Sequence, residues 1–197
     1  MSTSTAASRI VAVTGSTGFV GRALVPGLLE AGYAVRRLSR HPAAFLPLEG
    51  VEDRRLDLDD EEPGATALAG VDTVFYLVHA MSGGAGFAGR DRAYARRFAR
   101  AARAAGVRHV VYLGGLYPRE VALSPHLASR REVGEILRRE CGALHVRAGI
   151  VIGSGSASFE IMHDLVQRLP VMVTPAGSGA VARRSNSLMP SPPWWAR

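Results

Sequence analysis

The sequence predicts a doubly wound α/β fold, in which helices cover both faces of a mostly parallel sheet. Short apolar runs rich in β-branched residues alternate along the chain with segments whose apolar residues repeat at helical spacing. The apolar runs carry few charges, which is typical of parallel strands buried on both faces. The 197 residues suffice for one such domain and its core.

The first strand, turn and helix carry the strongest functional signal. The run Ile10–Val13 predicts the strand, and Gly15, Gly18 and Gly21 follow it in the spacing GxxGxxG before apolar residues at helical period. Glycine permits a tight turn and lets a pyrophosphate approach bare N–H groups at a helix N-terminus. The unit predicts a dinucleotide site on a Rossmann fold, and glycines that serve only close helix–strand packing are the alternative. The residues expected to bind the cofactor here are Thr14, Gly15, Ser16, Thr17, Gly18, Phe19, Val20 and Gly21.

The second strand is predicted at Ala34–Leu38, and its end indicates which cofactor binds. A site that prefers NAD places an acidic residue there to bind the ribose 2′-hydroxyl. This chain has Ser39 and Arg40 instead, and a guanidinium can pair bidentately with a 2′-phosphate. We therefore expect NADP(H), with NAD(H) as the alternative if Arg40 is only a solvated residue at the strand edge.

The remaining elements continue the alternation. A strand at Val51–Asp59 and a short helix at Glu61–Gly70 precede Val71–Val78, which has no charge after Asp72 and suits a central strand. Because ligands of open α/β sheets lie beyond the carboxyl ends of strands, His79 is expected to line the cofactor site. A histidine at the rim of the strand without a ligand is the alternative. Further predicted elements are the helix Phe87–Ala105, the strand Val107–Leu113, a helix from Ser124 to about Arg139, the strand Ala143–Ile152 and a helix after Ser156.

Several segments resemble one known family. Thr14–Gly21, TGSTGFVG, resembles the TGxTGxxG motif of atypical and extended short-chain dehydrogenase/reductases. Segments between Tyr76 and Pro175, such as YLVHAMSGG and GIVIGSGSASFE, are similar to bacterial NmrA-like and nucleoside-diphosphate-sugar epimerase-like members. The resemblance implies a Rossmann fold and NAD(P)H binding and leaves the reaction open. It also implies that Asp57 and Leu58 contact the adenine ring, although an aspartate that caps a turn would look the same.

The chain departs from conventional short-chain reductases where these carry their catalytic residues. Those enzymes place a Ser after the fifth strand and a Tyr-x-x-x-Lys pair on the next helix, where the Tyr transfers the proton. Here Gly114-Gly115 stands at the serine's place, and His126 and Arg130 stand at the places of the pair. Either His126 donates a proton while Arg130 binds cofactor ribose or phosphate, or both belong only to a helix start with Ser124 as N-cap.

Two functions follow from the resemblance and this departure. The first is an oxidoreductase or epimerase-like enzyme that acts with NADP(H) on a carbonyl or sugar-nucleotide substrate. The second is a non-catalytic NADP(H) sensor that binds a regulatory protein partner, as NmrA-like proteins do. The missing Tyr and Lys favour the sensor. His79, His126 and Arg130, which are expected near the nicotinamide, leave the enzyme as the alternative.

Composition excludes several kinds of chemistry. All 24 basic residues are arginine, so mechanisms that need a lysine amine are excluded. Cys141 is the single cysteine and the six histidines lack ligand spacing, so neither an intrachain disulfide nor a metal site is expected. The net charge of +7 invites nucleic-acid binding, but acidic neighbours pair many arginines, so this function ranks third. Without a long apolar run or a signal peptide, we expect a cytoplasmic protein with no membrane span.

The two ends of the chain differ from its middle. Residues 1–8 are small and polar and are expected to form a disordered leader before an NAD(P)-binding domain over residues 9–175. Residues 176–197 lack periodicity and contain two adjacent Trp among Pro and Ser. This tail predicts a frameshift that truncates the domain at its C-terminal side, and a genuine disordered tail is the alternative.

Overall fold

The structure is a computed structural model that describes residues 9–61, 64–79, 86–117, 122–149 and 151. The chain divides into two compact units, Met1–Gly149 and Ile150–Arg197, and the description below concerns the first. The predicted leader, the helix predicted after Ser156 and the tail from Ala176 lie outside the described residues. The domain boundaries expected at residues 9–175 stay a prediction.

A six-stranded sheet forms the centre of the first unit, and all of its pairings are parallel. Its spatial order is β3-β2-β1-β4-β5-β6, so the chain moves outward from β1 in one direction and then in the other. The predicted doubly wound parallel sheet is thereby confirmed. The strands are β1 Ile10–Thr14, β2 Ala34–Ser39, β3 Val51–Arg55, β4 Val71–Tyr76, β5 His109–Gly115 and β6 Leu144–Ala148.

Helices cover both faces of this sheet, as predicted. They are α1 Phe19–Glu30, α2 Phe87–Ala104 and α3 Pro125–Cys141. Strand β1 shows how the faces divide, because side chains alternate along a strand. Val11 and Val13 pack with Val25 of α1, whereas Ala12 belongs to a larger core that contains Phe98 of α2 and Ile136 of α3.

Two predicted elements are shorter than expected. The third strand ends at Arg55 rather than Asp59, because the Asp57 carboxylate accepts a hydrogen bond from the Asp59 N–H and turns the chain. Within the predicted helix Glu61–Gly70, the described residues form the 3₁₀ turn Ala65–Leu68. The buried Arg36 guanidinium of β2 donates to the carbonyl oxygens of Ala67 and Ala69, so these carbonyls bond to the sheet instead of a following helical turn.

The fifth strand begins and ends two residues later than predicted. It runs from His109 to Gly115, two residues beyond the predicted Leu113, and therefore includes Gly114 and Gly115. None of the helices among the described residues has the length and apolar character needed to cross a bilayer.

Candidate functional site

The glycine turn joins β1 to α1 and passes close to the end of β4. Gly15 has φ +64°, which favours glycine, and a Cβ added there would lie 3.1 Å from the Leu77 carbonyl oxygen. A Cβ at Gly21 would lie 2.6 Å from Ser16 Cα and would overlap the carbonyl oxygen of Gly15. Gly18 closes the turn by donating its N–H to that oxygen at 3.0 Å. Close packing thus explains Gly21, whereas Gly15 is required by backbone conformation.

Two hydroxyl groups of this turn have different roles. Thr14 Oγ1 donates to the Phe75 carbonyl at 3.2 Å and accepts from the Leu77 N–H at 2.9 Å, which joins the ends of β1 and β4. Ser16 Oγ is buried and has no hydrogen-bond partner among the described residues. A buried hydroxyl left unpaired costs about 1–3 kcal/mol, so Ser16 fits a ligand oxygen such as that of a phosphate.

The first turn of α1 is suited to an anion. Gly18 is its N-cap, and no side chain of the described residues caps the N–H groups that follow. These groups and the helix dipole favour negative charge at this point. Phe19 and Val20 are half-buried at the start of the helix and present backbone N–H groups to the turn.

A cavity of about 290 Å³ lies beyond the carboxyl ends of β1, β2 and β4. The β1–β2 and β1–β4 pairings place it where the strand order reverses, which is where open α/β sheets bind ligands. It brings together eight of the residues expected to bind the cofactor. These are Thr14, Gly15, Ser16, Thr17, Ser39, Arg40, Leu58 and His79.

Sequence reasoning missed several residues of this cavity, namely Leu38, Phe45, Leu56, Val78, Arg90 and Tyr94. Leu56 and Leu58 flank Asp57 and both are buried, so the period-two pattern of this segment could have indicated them. The Arg37 guanidinium lies 4.5 Å from the centre of the Phe45 ring and holds it in place. Arg90 and Tyr94 lie on α2, which no local pattern places against the end of β3.

At the β2 end of the cavity, charged groups meet. Arg40 is 61% exposed, and its Nη1 lies 3.8 Å from Oδ2 of Asp59. The Tyr94 hydroxyl donates to the other carboxylate oxygen of Asp59 at 2.7 Å. The Asp57 carboxylate instead pairs with Arg55 at 2.9 Å and accepts from the Asp59 N–H. The turn-capping role that sequence allowed for Asp57 is therefore present, and its contact with adenine stays a prediction.

His79 lies at the β4 end of the cavity as a neutral group. Burial first, and then the positive charge of Arg130, lower the pKa of His79 to about 4. Its ring meets the Tyr112 ring edge-on, with the centroids 5.9 Å apart. A neutral imidazole can donate one hydrogen bond and accept another at physiological pH.

His126 and Arg130 lie on the first two turns of α3, as expected. Ser124 is the N-cap and accepts from the Leu127 N–H at 3.3 Å, with Pro125 at the first helical position, so the helix-start interpretation is correct in structure. His126 is exposed, and its pKa is lowered by partial burial and then by Arg130. The role of His126 in proton transfer stays a prediction.

The end of β5 lies against α3 at Arg130. A Cβ at Gly115 would lie 3.6 Å from Arg130 Cδ, so the residue at the serine's place faces this arginine. The Tyr112 hydroxyl donates to the Arg130 carbonyl at 3.1 Å, and burial raises the pKa of Tyr112. Tyr112 is therefore engaged in fixing α3 and unsuited to proton transfer.

A buried hydrogen bond joins α2 and α3 beside these residues. Ser129 Oγ donates to Asp91 Oδ2 at 2.9 Å, and the two residues are 3% and 6% exposed. Ser129 precedes Arg130 and follows His126 by three positions, so the bond fixes the rotation of the helix face that carries both. Across the residues that the structure describes, no group of His, Cys, Asp or Glu could hold a metal ion.

Comparison with known proteins identifies the family. A family model described as NAD(P)H-binding matches residues 15–146. The chain belongs to this NAD(P)H-binding family. Ceramide reductase of Caulobacter vibrioides is 33% identical over 183 residues, which cover 90% of this chain and 57% of the relative. The chain thus spans little more than half the length of that relative.

Solved structures agree with this assignment. A short-chain dehydrogenase/reductase superfamily protein of Agrobacterium tumefaciens with bound NAD has a TM-score of 0.57 and 27% identity, covering 71% of this chain and 48% of its own. Triphenylmethane reductase of Citrobacter sp., complexed with NADP(H), has a TM-score of 0.60 and 26% identity, covering 71% and 49%. The resemblance to short-chain dehydrogenase/reductases and the prediction of NAD(P)H binding are confirmed at the level of the family.

Proposed function

We propose that this protein is an oxidoreductase that uses NADP(H) in preference to NAD(H) to reduce a carbonyl substrate. The observation that carries the cofactor choice is Arg40, a guanidinium at the rim of the cavity where β2 ends. Arg90 lines the same cavity and adds a second positive charge. Two guanidinium groups favour a 2′-phosphate, because each can donate two hydrogen bonds to its oxygens.

The opposite end of the cavity supports a reductase. When bound, nicotinamide supplies or accepts the hydride. His79 lines the cavity, and the positive charges of Arg130 and His126 both act to lower its pKa. His126 would donate a proton to the carbonyl oxygen as the hydride adds to the carbon, and because its side chain is exposed it would regain a proton from water. Arg130 would stabilise the negative charge that the oxygen gains before the proton arrives. The names of the ceramide reductase and triphenylmethane reductase relatives support reduction over epimerisation.

Turnover of NADPH with the full chain tests the reaction. Absorbance at the nicotinamide band is followed against a panel of aldehydes, long-chain ketones and sugar nucleotides. We expect at least one carbonyl class to be reduced, and we expect His126→Ala and Arg130→Ala to lower kcat by about 10²-fold or more. Arg131→Ala is the matched control, because Arg131 pairs with Glu135 on the exposed side of the same helix. Equal loss in the control would show damage to the helix rather than loss of chemistry.

Cofactor affinities test the selectivity separately. NADPH should bind more tightly than NADH, and Arg40→Asp should reverse this order because it replaces a positive charge with a negative one. Arg54→Asp, on the neighbouring strand and outside the cavity lining, is the control and should leave the order unchanged. Equal affinities for both cofactors in the parent protein would reject the proposed preference.

A non-catalytic NADP(H) sensor is the second candidate. It is favoured by the residues at the places where conventional enzymes carry Ser and Tyr. Gly115 has no side chain that could donate a proton, and the lowered pKa of His126 leaves less of it in the protonated form that could donate one. In this function, cofactor occupancy would control a protein partner. Tight NADPH binding with no turnover on any carbonyl class, in the full chain and in full-length relatives, would support the sensor over the enzyme.

A further inference from the structure

We propose that Asp59 is a selectivity residue that weakens NADP(H) binding and so narrows the preference for NADP(H) over NAD(H). This inference rests on the proposed binding of a 2′-phosphate at Arg40. Sequence reasoning found no acidic residue at the end of β2, yet the structure brings one there from the turn after β3. Asp59 Oδ2 lies 3.8 Å from Arg40 Nη1, although the two residues are 19 positions apart.

Helix α2 holds Asp59 at this position through both its side chain and its backbone. Tyr94 donates its hydroxyl to Asp59 Oδ1 at 2.7 Å. Arg97 Nη1 donates to the carbonyl oxygens of Leu58 and Asp59 at 2.8 and 3.2 Å. Because Tyr94 and Arg40 both line the cavity, the Asp59 carboxylate lies beside it between two lining residues. The carboxylate is therefore kept near the place that a 2′-phosphate would occupy.

Two electrostatic effects then act against the phosphate. Asp59 neutralises part of the charge of Arg40, and it repels the phosphate, which carries a charge of about −1.5 to −2 at neutral pH by analogy with other phosphate monoesters. Asp59 and Arg40 are more than half exposed, so water and salt screen both effects. For a phosphate and a carboxylate that contact the same guanidinium in such surroundings, the penalty corresponds to an affinity lower by about three- to tenfold. NADH lacks the 2′-phosphate, so Asp59 does not lower its affinity in this way.

The test compares dissociation constants of NADPH and NADH for the full chain and for Asp59→Asn. Asparagine keeps an oxygen that accepts the Tyr94 hydroxyl while it removes the charge. We expect Asp59→Asn to bind NADPH about three- to tenfold more tightly and to change the affinity for NADH less than twofold. Asp60→Asn is the matched control, because Asp60 is on the same turn but pairs with Arg55 at 2.8 Å. It should leave both constants unchanged.

The outcomes separate this inference from the proposed function. If Asp59→Asn weakens NADH alone, Asp59 binds the ribose hydroxyl and the inference is wrong. If the ratio of the two constants is unchanged, or changes equally in Asp60→Asn, the inference is also wrong while NADP(H) binding stands. A parent protein that binds neither cofactor rejects the proposed function and this inference together. In the double variant with Arg40→Gln, the gain from Asp59→Asn should shrink, because one of its two causes is gone.

Discussion

Replacing Gly21 by alanine is expected to destabilise the protein and to damage the cofactor site. A Cβ at this position would lie 2.6 Å from Ser16 Cα and would overlap the Gly15 carbonyl oxygen, and both are backbone atoms without rotamer freedom. Such overpacking costs about 3 kcal/mol. Alanine recovers about 1 kcal/mol as a better helix former than glycine, which leaves a net loss of about 2 kcal/mol. For a protein of this size, the loss corresponds to a fall in Tm of about 4–8 °C.

Gly27 of the same helix supplies the control. A Cβ there meets no atom within 4 Å, so Gly27→Ala should stabilise the protein by about 0.5–1 kcal/mol. Denaturant unfolding measures both free energies, and NADPH titration measures binding. We expect Gly21→Ala to lower NADPH affinity about tenfold or more, because it displaces the turn that carries Ser16. If both variants show the same stability and affinity, the helix can move away from the turn without penalty and the packing argument is wrong.

Two further predictions concern the opposite end of the site. Ser129→Ala should lower the free energy of unfolding by about 1.5–3 kcal/mol, because it removes a hydrogen bond that is donated to the buried Asp91 carboxylate, and an unchanged denaturant midpoint would contradict this. The His79 pKa is about 4 in the folded protein against 6.5 when unperturbed, so the unfolded state binds a proton first and stability should fall as pH drops from 6.5 to 4. His79→Gln should reduce this fall in pH-dependent unfolding, and an identical profile would show that another group causes it.

Local chemistry explains why the fold could be predicted. The alternation of β-branched runs with helical segments and the glycine turn are properties of contiguous residues. They placed β1 and β2 within one residue and α1 directly after the glycine turn. The third strand was predicted too long, because the carboxylate of Asp57 turns the chain after Arg55. The short helix at Glu61–Gly70 was predicted too long, because Arg36, from a distant strand, donates hydrogen bonds to the carbonyl oxygens of Ala67 and Ala69. Helix propensity is a property of the local sequence and does not account for a hydrogen-bond donor on a distant strand.

The residues of the candidate site also fall into those that sequence could place and those that it could not. The glycine turn, Ser39 and Arg40 follow directly from strand ends, which explains why sequence could place them together. Tyr94 and Arg90 could not be placed, since their approach depends on how α2 packs over the sheet. The orphaned hydroxyl of Ser16 is also a tertiary property, because the sequence does not show that it is buried without a partner.

Periodicity is enough to predict the parallel α/β sheet, and glycine spacing is enough to predict a dinucleotide site at its first turn, because both patterns act over a few adjacent residues. The polar contacts that α2 and α3 make around the site depend on the tertiary structure. Tyr94 meets Asp59 across 35 positions, and Ser129 meets Asp91 across 38. Contacts of this kind depend on the docking of α2 and α3, which is set by burial of a shared apolar core rather than by any local pattern.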